Sequence, residues 1–307
     1  MPATGEIPRR PLGRTGAYVS AIGMGGYHLG EVGTEREALR LIHAAIDAGV
    51  TFMDNAWEYH EGKSEERMGK ALAGRRGEVF LMTKVCTHGR DAKVAMRQLE
   101  QSLRRLKTDY LDLWQVHELA YANDPERHFA EGGVIEALDR ARREGKVRFV
   151  GFTGHKDPAI HLRMLAFDYP FDTCQMPLNC FDATFRSFEQ QVLPELQRRG
   201  IAAIGMKSLG GEGDMVKKKA VSASEALRYA MSLDVATTVS GIDSLRVLRQ
   251  NLAVASGFTP MSAQERETLR ARCAALAADG RFELYKTTAK HEGPVGRKEH
   301  GFPSEES

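Results

Sequence analysis

Two hydrophobic periods take turns along this chain. Short apolar runs, read as strands, give way to segments whose apolar residues recur every three or four positions, read as helices. The runs fall at 19–25, at the residues leading into Asp54, and at 79–84, 111–117, 147–151, 173–176, 201–206 and 236–240. Between them, Leu39, Ile42 and Ile46 share one helical face; so do Met68 with Leu72, and Met96 with Leu99, Leu103 and Leu106. Helices are further expected over 134–144, 190–199 and 244–255. The polar punctuation agrees. Thr34 with Glu37, Ser222 with Glu225 and Ser262 with Glu265 are spaced as capping boxes. Ser64 is placed as an N-cap ahead of Glu65 and Glu66, which suit the positive end of a helix dipole. Asp157-Pro158 reads as a cap with proline at the first helical position. Gly49, Gly145 and Gly200 close helices. A turn-rich lead-in over 10–16 reads as a hairpin.

Strands that alternate with helices imply parallel pairing with helical crossovers. Eight such units in about 250 residues have the size of a closed α/β (β/α)8 TIM barrel, a single domain. The expected bounds are 1–284 for the barrel with its lead-in and one extra C-terminal helix, and 285–307 for an irregular tail without periodicity. An open doubly wound sheet is the alternative. Gly23, Gly25 and Gly26 lack the third glycine and the helix start that a dinucleotide fingerprint needs there.

Composition changes little in that picture. A net charge of +2 gives no reason to expect nucleic acid or an acidic membrane surface as partner. No apolar run approaches the roughly 20 residues of a membrane helix. Four scattered cysteines, without zinc or redox spacing, suit a reducing compartment, with the cytoplasm as the default.

The chemistry collects at strand ends. Asp54, Lys84 and His117 end the second, third and fourth strands, and Tyr59 follows in the loop after Asp54. In such barrels, catalytic groups come from the C-terminal ends of several strands. Tyrosine, with a pKa near ~10, is a weak acid. A neighbouring ammonium is expected to stabilise its phenolate, and a carboxylate to orient that ammonium. A histidine can hydrogen-bond a carbonyl oxygen. The set lacks a nucleophile and a metal cluster, so the expected reaction is proton donation to a carbonyl, with the hydride from a nicotinamide. The plain alternative is an Asp54–Lys84 ion pair that only closes the barrel. A barrel aldolase using Lys84 as a Schiff base is a further reading.

These residues resemble the aldo-keto reductase family. The likeness rests on Asp54-Asn55-Ala56 with Tyr59, Gly62, Ser64-Glu65 and Gly69, on Thr83-Lys84, on Leu111-Asp112-Leu113-Trp114-Gln115-Val116-His117, and on the opening Pro11-Leu12-Gly13-Arg14-Thr15-Gly16. It runs from about Pro11 to Ala255. It implies a (β/α)8 barrel, an extended nicotinamide cofactor, and the tetrad Asp54, Tyr59, Lys84 and His117, with Tyr59 as proton donor. The implied reaction is reduction of an aldehyde or ketone to an alcohol.

Departures from the family pattern matter as much. Gly151-Phe152-Thr153-Gly154-His155 stands where the family has a Ser-Asn pair on the nicotinamide carboxamide. Thr153 can replace the serine hydroxyl, Gly154 cannot replace the amide, though His155 could, and Gln175 matches the family's glutamine. Met206 replaces an aromatic that stacks on the nicotinamide. Lys207, Ser208, Leu209 and Gly210 are expected at the pyrophosphate, Gly25 and Gly26 at the first strand end. Gly241 and Asn251 keep the family spacing, with Gln250 beside Asn251 and Asn251 placed to read adenine. Asp243 sits where a cation often meets the 2′-phosphate and would repel it, while Arg246 or Arg249 could reach that group; on the family resemblance NADP is the expected cofactor and NAD the alternative. Tyr27, Trp57 and His88 are expected at the substrate mouth, where two aromatics suggest a hydrophobic carbonyl. A cofactor-binding sensor or regulatory subunit with little turnover is the competing function. Oligomeric state and the identity of the carbonyl are not legible.

Overall fold

The computed structural model describes residues 5–86, 91–289 and 292–293. A short antiparallel hairpin, β1 (Arg9–Pro11) and β2 (Tyr18–Ser20), precedes the barrel. The barrel strands are β3 (Ile22–Gly25), β4 (Phe52–Asp54), β5 (Phe80–Cys86), β6 (Leu111–Leu119), β7 (Val147–Gly154), β8 (Thr173–Pro177), β9 (Ala202–Met206) and β10 (Thr237–Gly241). All eight pair parallel in sequence order, and β10 closes on β3. Among the described residues no helix is long and apolar enough to cross a membrane.

Two cores follow from the period of two along each strand. Inside the barrel, Phe52, Phe80, Met82, Leu113, Ile204 and Val239 pack together, and Leu12 and Val19 of the hairpin lie buried among them. The lead-in therefore plugs one end of the barrel. Between strands and helices a larger core holds residues such as Met53, Leu81, Trp114 and Phe152. The inward parity then fixes the other end. Continuing from Phe52 by two residues gives Asp54, from Met82 gives Lys84, and from Leu113 gives Gln115 and His117. The polar layer is the apolar interior carried upward.

The caps form as their spacing predicts. Thr34/Glu37, Ser222/Glu225 and Ser262/Glu265 are complete capping boxes, and Asp157 accepts from the Ala159 N–H. Several boundaries differ. Helix Lys63–Ala71 starts after Gly62, and Ser64 is not its cap: its hydroxyl donates to the Gly26 carbonyl at 2.6 Å. Gly26 is itself constrained, since an added Cβ would come 2.5 Å from the Asp54 carbonyl oxygen. Residues 190–199 split into helices Phe188–Gln191 and Leu193–Arg199, because Pro194 has no N–H to continue the ladder. Residues 19–25 split at Ala21, where Ser20 donates to the Ile22 carbonyl and accepts from Thr51 N–H. Of the segment expected to form an irregular tail, residues 290–291 and 294–307 lie outside the described residues. A helical turn, Leu284–Thr287, sinks Tyr285 and Lys286 out of solvent.

Candidate active site

Lys84 is the hub. Its Nζ donates to Asp54 Oδ1 at 2.8 Å, to the Asn55 carbonyl at 2.8 Å and to the Tyr59 hydroxyl oxygen at 3.3 Å. Asp54 and Lys84 are almost fully buried, at 2% and 1% exposure. The other oxygen of Asp54 accepts from Gln175 Nε2 at 2.8 Å. The chain between β4 and Tyr59 is fastened from outside. Trp57 N–H donates to the Lys84 carbonyl, and Trp57 Nε1 donates to Gln101 at 2.7 Å. Arg105 donates to the Trp57 carbonyl at 2.9 Å and pairs with the buried Glu65. Tyr59 then opens a tight turn in which His60 and Glu61 adopt left-handed φ values of 50° and 59°.

His117 completes the set. Its ring stands edge-on to Tyr59, with centroids 5.9 Å apart at 84°. Tyr27 is half exposed and also meets Tyr59 edge-on, at 5.4 Å. The structure thus brings Asp54, Tyr59, Lys84, His117, Gln175 and Tyr27 together. Trp57 is pinned to the helix Ala92–Leu106. His88 lies outside the described residues.

The phenol does not behave as the sequence suggests. Burial, followed by the charges of Asp54, Glu58 and Glu118, raises the Tyr59 pKa well above its ordinary value. The nearby ammonium is outweighed. Tyr59 is held as a neutral phenol, which is the form a proton donor must have.

Three acidic residues that sequence reasoning missed surround the site. Glu58 approaches His117 Nδ1 at 2.8 Å. Glu118 Oε2 is 2.5 Å from His155 Nε2 and 3.9 Å from His117 Nε2. Glu292, from the C-terminal segment, receives Lys156 at 2.7 Å and the Tyr121 hydroxyl at 2.9 Å. Next to it, Gly293 N–H donates to Glu118 at 3.3 Å, so residues 292–293 lie against Glu118. Glu58 and Glu118 are neighbours in sequence of Tyr59 and His117, which was a usable signal.

Expected cofactor contacts divide into those the structure gathers and those it turns elsewhere. Thr153 pairs in register with Gln175, one strand apart at the inward parity. Gly154 has no room for any side chain, since a Cβ would lie 2.6 Å from His161 Cε1 and 2.7 Å from the Leu119 carbonyl oxygen. Met206, the last residue of β9, and Leu209 beyond it are partly exposed, and Ser208 and Gly210 are buried. Burial lowers the Lys207 pKa, while Glu118 and Glu212 raise it, and its ammonium sits over the Tyr285 ring at 5.1 Å. Gly25 and Gly241 pair at the β3–β10 seam. Asn251 is buried and donates to Ser240 at 2.9 Å, and Gln250 is partly exposed. Asp243 is exposed and accepts from the Ser244 hydroxyl, and it lines a cleft of about 330 Å³ with Glu37 and Arg40. Arg40 is a cation the sequence did not flag.

The residues fit a nicotinamide. Gln175 Oε1 and Asn55 Nδ2 are buried polar atoms with no hydrogen-bond partner among the described residues. An acceptor and a donor left open in this way complement a primary carboxamide, and leaving them unpaired is costly.

A profile described as the Aldo/keto reductase family matches residues 21–223. Aldo-keto reductase YhdN of Bacillus subtilis is 34% identical over 211 residues, 64% of this chain and 60% of that protein. The match to methylglyoxal reductase YeaE of Escherichia coli spans 43% of that protein, at 35% identity over 42% of this chain. A 6-dehydroglucose reductase of Novosphingobium aromaticivorans is 31% identical over 66% of this chain and 69% of its own length. Among solved structures, the holo form of an aldo-keto reductase from Bacillus halodurans superposes with a TM-score of 0.73 at 25% identity, covering 87% of this chain and 96% of that one.

Proposed function

This chain belongs to the aldo/keto reductase family, and we propose that it reduces an aldehyde or ketone to an alcohol with a nicotinamide cofactor. The observation that carries the proposal is Lys84 placed between Asp54 and the Tyr59 hydroxyl at the end of the barrel. A reduced nicotinamide, once held there, would supply the hydride that the carbonyl carbon takes up. Tyr59 gives its proton to the carbonyl oxygen, and the C=O bond becomes CH–OH. Lys84 compensates the charge left on the phenol oxygen. Asp54 and the Asn55 carbonyl hold Lys84 in place. Gln175 and Asn55 would hold the carboxamide, with Thr153 beside them. The rigid loop from Asp54 to Tyr59 keeps the donor positioned, and positioning is a large part of such rate enhancements.

NADP is the proposed cofactor, with NAD the alternative. Arg40 in the cleft beside Asp243 supports the first; Asp243 itself supports the second. The buried Glu118–His155 pair beside His117 favours a small polar carbonyl, in keeping with the sugar-derived substrate named for the Novosphingobium relative. The four cysteines are free, which suits a reducing cytoplasm. The Schiff-base reading loses support, because Lys84 Nζ is committed to a carboxylate, a carbonyl and a phenol. The sensor reading draws on Gly154, whose site admits no amide side chain.

Fluorescence titration with NADPH and NADH, followed by turnover on sugar-derived and simple aldehydes, tests the proposal. Saturable binding with turnover is the expected result. Binding without turnover on any carbonyl favours the sensor, and no binding of either cofactor overturns both readings.

A further inference from the structure

The imidazole of His117 lies between two carboxylates. Glu58 Oε1 is 2.8 Å from Nδ1, and Glu118 Oε2 is 3.9 Å from Nε2. His117 is buried, and the Glu58 side chain is only 15% exposed. The Glu58 contact lies within ion-pair range, yet Nδ1 has no well-aligned hydrogen bond. Charge therefore holds the pair more than alignment does.

The chemistry of the pair fixes one proton. A carboxylate only accepts, and a bare ring nitrogen only accepts. Two acceptors 2.8 Å apart repel, so Nδ1 carries a proton whenever Glu58 is ionised. Burial pushes the Glu58 pKa up, but its contacts with His117 win and hold it below the usual range, so it is ionised at neutral pH. With Nδ1 committed, Nε2 can donate to a carbonyl oxygen only if it too carries a proton.

We propose that Glu58 is a positioning residue that keeps His117 as an imidazolium, so that its Nε2–H and the Tyr59 hydroxyl together face the substrate carbonyl oxygen. The chemistry of this proposal rests on the carbonyl-reductase reading. A cationic donor stabilises the negative charge that grows on that oxygen more than a neutral one does. Glu58 gains its place by preceding Tyr59 directly, so one turn carries both the proton donor and the counter-ion of the second donor. The other groups facing the imidazole are consistent. Tyr59 comes from the same turn, and Cys86 of β5 hydrogen-bonds Glu58. Glu118 of β6 is shared with His155, with Gly293 N–H and with the field of Lys207. Lys84 opposes a second cation nearby, and Asp54 compensates it at 2.8 Å.

Ring-nitrogen NMR on the full chain labelled with ¹⁵N-histidine tests this, with His117 assigned by its loss in His117→Asn. At pH 7 the wild-type ring is expected to show two protonated nitrogens. In Glu58→Gln the ring is expected to be neutral at pH 7, because the counter-ion of the second ring proton is gone. The high-pH limb of kcat for reduction should move toward acid, with cofactor affinity unchanged. A neutral wild-type His117 at pH 7 overturns the proposal, and this arm needs no variant of Glu58. An unchanged His117 signature and pH limb in Glu58→Gln overturns it equally. The NMR arm uses no substrate, so its failure is distinct from failure of the reductase reading, which Tyr59→Phe and the cofactor titrations judge.

Discussion

The ammonium of Lys84 stands 3.3 Å from the phenolic oxygen of Tyr59, although the two residues come from different strand–loop units. Asp54, 2.8 Å from the same Nζ, holds that position from inside the barrel. Lys84→Met is therefore expected to do two things at once. It leaves Asp54 buried with only Gln175 as side-chain partner among the described residues, which should cost ~3–5 kcal/mol in a urea unfolding series. It also leaves the ionised phenol uncompensated, so carbonyl reduction should fall by ~10²-fold or more. A stable Lys84→Met protein with undiminished turnover would show that the lysine neither closes the barrel nor serves the phenol.

Gln175 divides its amide between two tasks. Nε2 donates to Asp54, and Oε1 is buried without a partner among the described residues. Gln175→Leu is expected to weaken NADPH binding by about tenfold or more, corresponding to ~1–3 kcal/mol for a lost buried hydrogen bond. Fluorescence titration measures this directly. A dissociation constant within twofold of wild type would remove Gln175 from the cofactor contacts.

Much of this site was legible because strands have a period of two. Phe52 and Asp54, Met82 and Lys84, Leu113 and His117 share inward parity, so the apolar pattern that builds the barrel also aims the tetrad. The capping boxes at Thr34, Ser222 and Ser262 were legible because each needs only two residues three apart. Ser64 misled because a serine before two glutamates matches a cap locally, while its hydroxyl is used on the Gly26 carbonyl, far away in sequence. The direction of the Tyr59 shift was illegible for a related reason. It depends on Glu58 and Glu118 converging with Asp54 on one buried phenol, and no local pattern reports that sum. Glu58 and Glu118 could have been suspected as the sequence neighbours of Tyr59 and His117. Lys286 could not, because Asp182 and Phe185, which it meets, lie 104 and 101 residues away.

That lysine makes its own prediction. Lys286 Nζ, fully buried, donates to Asp182 at 2.6 Å, Glu283 at 3.0 Å and the Phe185 carbonyl at 2.8 Å. It docks the turn Leu284–Thr287 onto the loop after β8. Lys286→Met leaves two buried carboxylates facing each other and should lower stability by ~3–5 kcal/mol. A urea midpoint equal to wild type would contradict the docking role.

His161 predicts part of the acid sensitivity. It packs between Phe152 and Phe188, and burial pushes its pKa down from 6.5 to about 3. Between those two values the unfolded chain binds a proton that the folded chain refuses, so this contribution to stability is lost as pH falls from about 6.5 toward 3. Between pH 7 and pH 4 the wild type should lose on the order of a few kcal/mol more than His161→Leu, which has nothing to protonate. Parallel pH profiles for the two proteins would show that His161 does not titrate on unfolding.

Replacement of the phenol alone reaches the proton-transfer step itself. Tyr59→Phe removes one oxygen and leaves Lys84 tied to Asp54 and to the Asn55 carbonyl, so the fold and the cofactor affinity should stay near wild type. Single-turnover reduction of an aldehyde by the protein loaded with reduced cofactor is the measurement. The rate is expected to fall by ~10²–10⁴-fold, the range for loss of a positioned general acid. A Tyr59→Phe protein that reduces the aldehyde at close to the wild-type rate would contradict the assignment of Tyr59 as proton donor.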